Sequence, residues 1–109
     1  MTKITIYQNA NEEYLGFRCT GHAGFAEAGE DVVCAGISVL VINTINAMEQ
    51  LTSTQFQLKE NQEEGIIECT FGSDLDNGGI LLMDSMILGL KHIQESYGNG
   101  YMKLTFKEV

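Results

Sequence analysis

Apolar and polar residues alternate over positions 1–8, around Ile4 and Ile6, and again over 14–20, around Leu15, Phe17 and Cys19. Alternation sends every second side chain of an extended chain to one face, so both segments are predicted strands, and the polar stretch 9–13 between them makes a hairpin. From about 34 to 51 the period changes. Ile37, Val41, Ile45 and Met48 form one stripe and Val39, Ile42 and Ala47 an overlapping one, with no proline and Gly36 as the one glycine, which predicts a helix. Alternation returns over 54–59 (Phe56, Leu58) and 65–71 (Ile67, Cys69, Phe71), a second hairpin around the turn 60–64. A second helix is expected over about 75–96, capped at Ser73 or Asp74, with Ile80, Met83, Ile87 and Leu90 on one stripe and Leu82, Met86 and Ile93 on the next. Residues 97–100 stop it, and 101–107 is a last strand with Met102, Leu104 and Phe106 on one face.

The order ββαββαβ, with short strands and two helices packed against them, is an α+β fold. At 109 residues, the chain reads as a single domain spanning 1–109. Both helices are apolar over more than one face, more than one small sheet would cover. Either they lie between two layers or one face is shared with a second copy, and a homodimer is the more economical expectation. The longest apolar run, 36–42, is too short to cross a bilayer, and the N-terminus lacks the basic-then-apolar order of a secretory signal. The expectation is a cytoplasmic protein with no membrane partner. Three cysteines with no CxxC spacing support neither a disulfide framework nor a zinc ribbon. A net charge of −9, with six Lys and Arg scattered along the chain, argues against direct nucleic-acid binding and would suit a basic polypeptide.

The chemistry concentrates in 21–38. His22 opens a glycine-rich loop (Gly21, Gly24, Gly29), and Cys34 stands where that loop runs into the first predicted helix. A thiol acts as a nucleophile in its thiolate form, which a helix N-terminus and a neighbouring imidazolium both favour. If Asp31 is the N-cap, Cys34 is N3 and Ser38 lies one turn on, on the same face as the sulfur. Asp31 serves either as that cap or as a partner of His22, and the spacing leaves both open. The loop has no phosphate-binding lysine and reads better as a lid that closes over bound substrate, with Gly24 and Gly29 supplying its freedom. Cys19 and Cys69 share strand parity with large apolar residues and read as core thiols. His92, near the end of the second helix, is assigned no chemistry. Other uses of Cys34 stay open: a metal site with His22 and Asp31, for which the spacing fits no usual pattern, a thiol-based redox sensor, or a non-catalytic module that binds a basic partner.

The combination Gly21-His22-Ala23-Gly24, Gly29, Asp31, Val33-Cys34-Ala35 and Ser38 closely resembles the signature of the bacterial ribosomal-processing cysteine protease family, Prp. The resemblance covers the whole chain in length and element order. It implies a small α+β homodimer that cleaves the N-terminal leader from a large-subunit ribosomal protein. It makes Cys34 the nucleophile and His22 the general base, with Asp31 and Ser38 in support and no cofactor or metal required. Backbone N–H groups of Cys34 and Ala35, placed in a first helical turn, are the expected donors to the oxyanion.

Overall fold

The computed structural model describes residues 1–21, 28–72, 74–98 and 100–109, with 28–31 described through their backbone alone. The predicted order is the observed one. Strands β1 (Thr2–Gln8) and β2 (Tyr14–Thr20) precede helix α1 (Ala28–Leu51); β3 (Phe56–Asn61) and β4 (Ile66–Phe71) precede α2 (Asn77–Tyr97); β5 (Met102–Glu108) closes the chain. One five-stranded mixed sheet results, in the order β3-β4-β2-β1-β5, antiparallel except where β5 runs parallel to β1.

Both helices cover the same face of this sheet. The alternation in β1 buries Thr2, Ile4 and Ile6, and the registers Ile4↔Cys19, Ile6↔Phe17 and Phe17↔Cys69 put their partners on the same side. Val33, Ile37, Val41, Ile45 and Met48 of α1 and Met83, Met86, Ile87 and Leu90 of α2 close this core. The fold therefore has two layers, and the alternative with helices between two sheets is not realised. Phe17 is fully buried near its centre and meets Phe71 edge-on, with ring centroids 6.4 Å apart. Gly16 beside it is a packing requirement, because a Cβ there would run into the Cys69 carbonyl of β4.

Both helix starts differ from the expectation. Helix α1 begins at Ala28 rather than at Cys34; Ala28 and Glu30 are good helix formers, and their propensity carries the helix through Gly29. The cap of α2 is Asp76, not Asp74, and Ser73 lies outside the described residues. Asp76 is chosen because it satisfies two elements at once. Its Oδ1 accepts the Gly79 N–H at 2.7 Å, and its Oδ2 accepts from the Ser53 hydroxyl and backbone N–H at 2.8 and 3.2 Å. These bonds, the one from Gly79 first, hold its carboxyl below the usual carboxylate range. The Tyr14 hydroxyl donates to Asp84 at 2.6 Å, joining β2 to α2, and burial together with that carboxylate pushes the phenol upward.

Of the second apolar stripe of α1, Ala47 is half-buried and Val39 and Ile42 stay exposed, with Val32 beside them. Val32, Val39 and Ile42 are 54, 68 and 46% exposed, and Leu81 and Leu88 of α2 are exposed as well. Ile87 and Leu90, on the first stripe of α2, are in the core and take no part in an exposed face. By length and composition Val32–Leu51 is also apolar enough to cross a membrane. Its Val33-Ile37-Val41-Ile45-Met48 stripe nevertheless lies against the sheet, as in the core helix of a two-layer fold.

Candidate active site

Helix α1 carries Cys34 over the start of β1 and the end of β2. Thr2 occupies the same parity as Ile4 and Ile6, so its hydroxyl faces the helix and lies 3.2 Å from the Cys34 sulfur, a buried hydrogen bond in which either atom can donate. Beside the sulfur opens a cavity of about 270 Å³. Its walls are Thr2, Cys19 and Gly21 from the first hairpin, Cys34, Ile37, Ser38 and Ile42 from α1, and Glu60, Asn61, Gln62, Gly65, Ile66 and Ile67 from the second. Cys34 itself is 7% exposed, so access to the sulfur runs through this cavity.

Gly21 fixes the corner at which the cavity meets the glycine-rich segment. Its φ of 143° is a conformation that side chains rarely adopt, its N–H donates to the Gly65 carbonyl at 3.0 Å, and a Cβ there would stand 2.9 Å from the Thr2 Cα. The end of β2 is thereby held against both β1 and the β3–β4 turn, and the next residue in the chain is His22.

The structure brings Cys34 and Ser38 to one cavity. His22 and Gly24 lie outside the described residues, as does the side chain of Asp31. Gly29 belongs to the first turn of α1 rather than to a lid, so the segment between β2 and α1 is shorter than the spacing implied. The early start of α1 also removes Cys34 from position N3. Inside a helix the N–H groups of Cys34 and Ala35 face the carbonyls of Glu30 and Asp31, so they are not spare donors for an oxyanion. Among the described residues the sulfur bonds to Thr2 rather than to Ser38. Thr2 was legible only as a hydroxyl at a buried strand parity. Asn61 and Gln62 carried no sequence signal, because a polar turn resembles any solvated one until the fold sets it against the nucleophile. Among the described residues no cluster of three or more His, Cys, Asp or Glu has the placement to hold a metal.

Burial disfavours the thiolate form at two of the three cysteines. Burial, with a smaller contribution from Cys34, pushes Cys19 up to about 11, and burial pushes Cys69 up to about 12. At pH 8 roughly one Cys19 in a thousand is then thiolate, and fewer of Cys69. Iodoacetamide at that pH, read by peptide mapping, should label Cys34 first and leave the other two unmodified while the protein is folded. Equal labelling of Cys19 would remove the distinction.

A sequence model described as cysteine protease Prp matches residues 1–103. The chain belongs to the Prp cysteine protease family. It is 34% identical over 101 residues to the ribosomal processing cysteine protease Prp of Bacillus subtilis, covering 89% of this chain and 90% of that one. To the Prp of Staphylococcus aureus strain Mu50 it is 30% identical over 107 residues, covering 98 and 100%. The crystal structure of an essential ribosomal processing protease Prp from S. aureus, in complex with a covalently linked product peptide, superposes with a TM-score of 0.87 at 27% identity over 98% of this chain and all of that one. SMU.848 from Streptococcus mutans shares the fold with a TM-score of 0.88 at 24% identity, over 100 and 99% of the two chains. As a Prp family member the protein is a cysteine protease; of its three thiols Cys69 does not line the cavity and burial pushes Cys19 upward, which singles out Cys34.

Proposed function

We propose that this Prp protease removes the N-terminal leader of a large-subunit ribosomal protein, with Cys34 as nucleophile, His22 as general base, and residues 1–109 acting as one protease domain. The placement of Cys34 carries the reading: its sulfur lies at a cavity wall beside Gly21, which immediately precedes His22. His22 takes the thiol proton as the sulfur attacks the scissile carbonyl, and returns it to the leaving amine. An acyl-enzyme remains, which a water activated by His22 hydrolyses to release the leader and regenerate the thiol. No cofactor enters these steps. Asn61 and Gln62 are the amide side chains on the cavity wall, and the Asn61 Oδ1 is held by the Glu64 N–H at 3.1 Å, which leaves its NH₂ as a donor for the oxyanion. Thr2 orients the sulfur; Ser38 and Asp31 support the site from α1. The net charge of −9 favours encounter with the strongly basic body of a ribosomal protein. Thiol chemistry of this kind fits the reducing cytoplasm. Mass spectrometry of a leader-bearing ribosomal protein, incubated with the parent and with Cys34→Ser, tests the reading. A shortened protein and free leader should appear with the parent alone.

The active form is a homodimer built on α1. Its support is the exposed stripe of Val32, Val39 and Ile42, which flanks a shallow groove with Ser38, Asn43 and Asn46 and would otherwise leave large apolar side chains in water. In sedimentation the parent should run as a dimer at micromolar concentration, and Val39→Asp with Ile42→Asp should run as a monomer. A monomeric parent would overturn this arrangement.

A further inference from the structure

Five of the six basic residues of this acidic chain lie on one surface. The strand registers place Lys103, Lys3, Thr20, Ile66 and Asn61 in one row across the sheet, Thr105, Thr5, Arg18, Glu68 and Lys59 in the next, and Lys107, Tyr7, Thr70 and Gln57 in the third. All of these side chains are exposed or half-exposed, opposite the face that α1 and α2 cover. Glu68 is the one carboxylate among them; it lies 3.6 Å from the Arg18 Nε and is the register partner of both Arg18 and Lys59. The face thus carries +4, counting five cations against one anion, and −13 is left for the rest of a chain whose total is −9. The basic residues look scattered along the sequence, and strand alternation gathers them.

We propose that this sheet face is an RNA-docking surface that holds the phosphodiester backbone. The residue types favour that occupant over a protein or a membrane. Lysine, arginine, threonine, glutamine and tyrosine side chains are the groups that contact phosphate and sugar, and Thr5, Thr20, Thr70 and Thr105 offer hydroxyls that both donate to and accept from a ribose 2′-OH. Ile66, half-buried at the end of the first row, is the one large aliphatic side chain in these three rows, short of the apolar cluster that anchors a protein interface or inserts into lipid. A second copy is disfavoured, since two such faces would set like charges together. The acidic remainder of the molecule repels a polyanion, so binding is confined to this face, and none of its basic side chains lines the cavity. The proposal does not depend on the protease reading.

Fluorescence anisotropy with a labelled 16-nucleotide RNA, single-stranded and as a duplex, tests it on the whole chain. Binding is expected at about 50 mM salt, with log K falling against log salt at a slope of about −3 for four to five phosphate contacts. The triple variant Lys3→Gln, Lys103→Gln, Lys107→Gln should bind at least ten-fold more weakly, and Glu68→Gln several-fold more tightly. Lys91→Gln, on α2, should bind like the parent. Circular dichroism of each variant secures the comparison, and since none of the substituted side chains lines the cavity, peptide cleavage should be unchanged. No RNA binding at low salt, unchanged binding by the triple variant, or stronger binding to DNA of the same sequence, to polyglutamate or to anionic vesicles would overturn the assignment.

Discussion

Changing Cys34 to alanine should abolish leader cleavage, and His22→Ala should lower it by roughly a hundred- to ten-thousand-fold, the range that a positioned general base supplies. The double variant should be little worse than Cys34→Ala alone, because a nucleophile and its base act as a unit and their losses do not add. Ser38→Ala and Thr2→Val should each cost about ten-fold or less, the equivalent of one hydrogen bond worth roughly 0.5–1.5 kcal/mol. The Thr2 variant is the sharper of the two, since Thr2 touches the sulfur at 3.2 Å. Single-turnover cleavage of a leader peptide, with dimerisation and melting followed in parallel, provides the measurement. Should His22→Ala cleave at close to the parental rate, the base lies elsewhere and the pairing of His22 with Cys34 fails.

The largest stability effect is expected at Phe17→Ala, at about 3–5 kcal/mol. Phe17 is fully buried, pairs across the central strands with Ile6 and Cys69, and packs its ring edge-on against Phe71. Truncation removes the transfer free energy of the ring and leaves a void that the flanking strands cannot close, because Gly16 already holds β2 against the β4 backbone. Such a loss is a large part of the roughly 5–15 kcal/mol that stabilises a domain. Urea denaturation should show a sharply lowered midpoint, with Phe17→Leu retaining most of the stability. A loss under about 1 kcal/mol for the alanine variant would mean that the sheet repacks.

The sequence by itself determined the element order, the strand parities and the apolar stripes from which the core is drawn, because alternation and helical periodicity are local properties that the tertiary structure had only to obey. Ile4, Ile6, Phe17, Ile37, Val41 and Met83 were legible in this way, as were Cys19 and Cys69 as core thiols. The family signature around Cys34 was equally local. Tertiary structure alone decided what depends on elements meeting. It set Thr2 against the Cys34 sulfur, supplied Asn61 and Gln62 from a distant hairpin, and chose Asp76 as a cap because Ser53 stood ready to share it. It started α1 at Ala28, which took the N–H groups of Cys34 and Ala35 out of use as oxyanion donors. It also decided which apolar stripes are core and which are surface: Ile87 and Leu90 face the sheet, whereas Val39 and Ile42 face outward, a choice that helical periodicity leaves open when a helix is apolar on two sides. Charge followed the same rule, since six basic residues spaced along a chain have no common face until β-pairing gives five of them one.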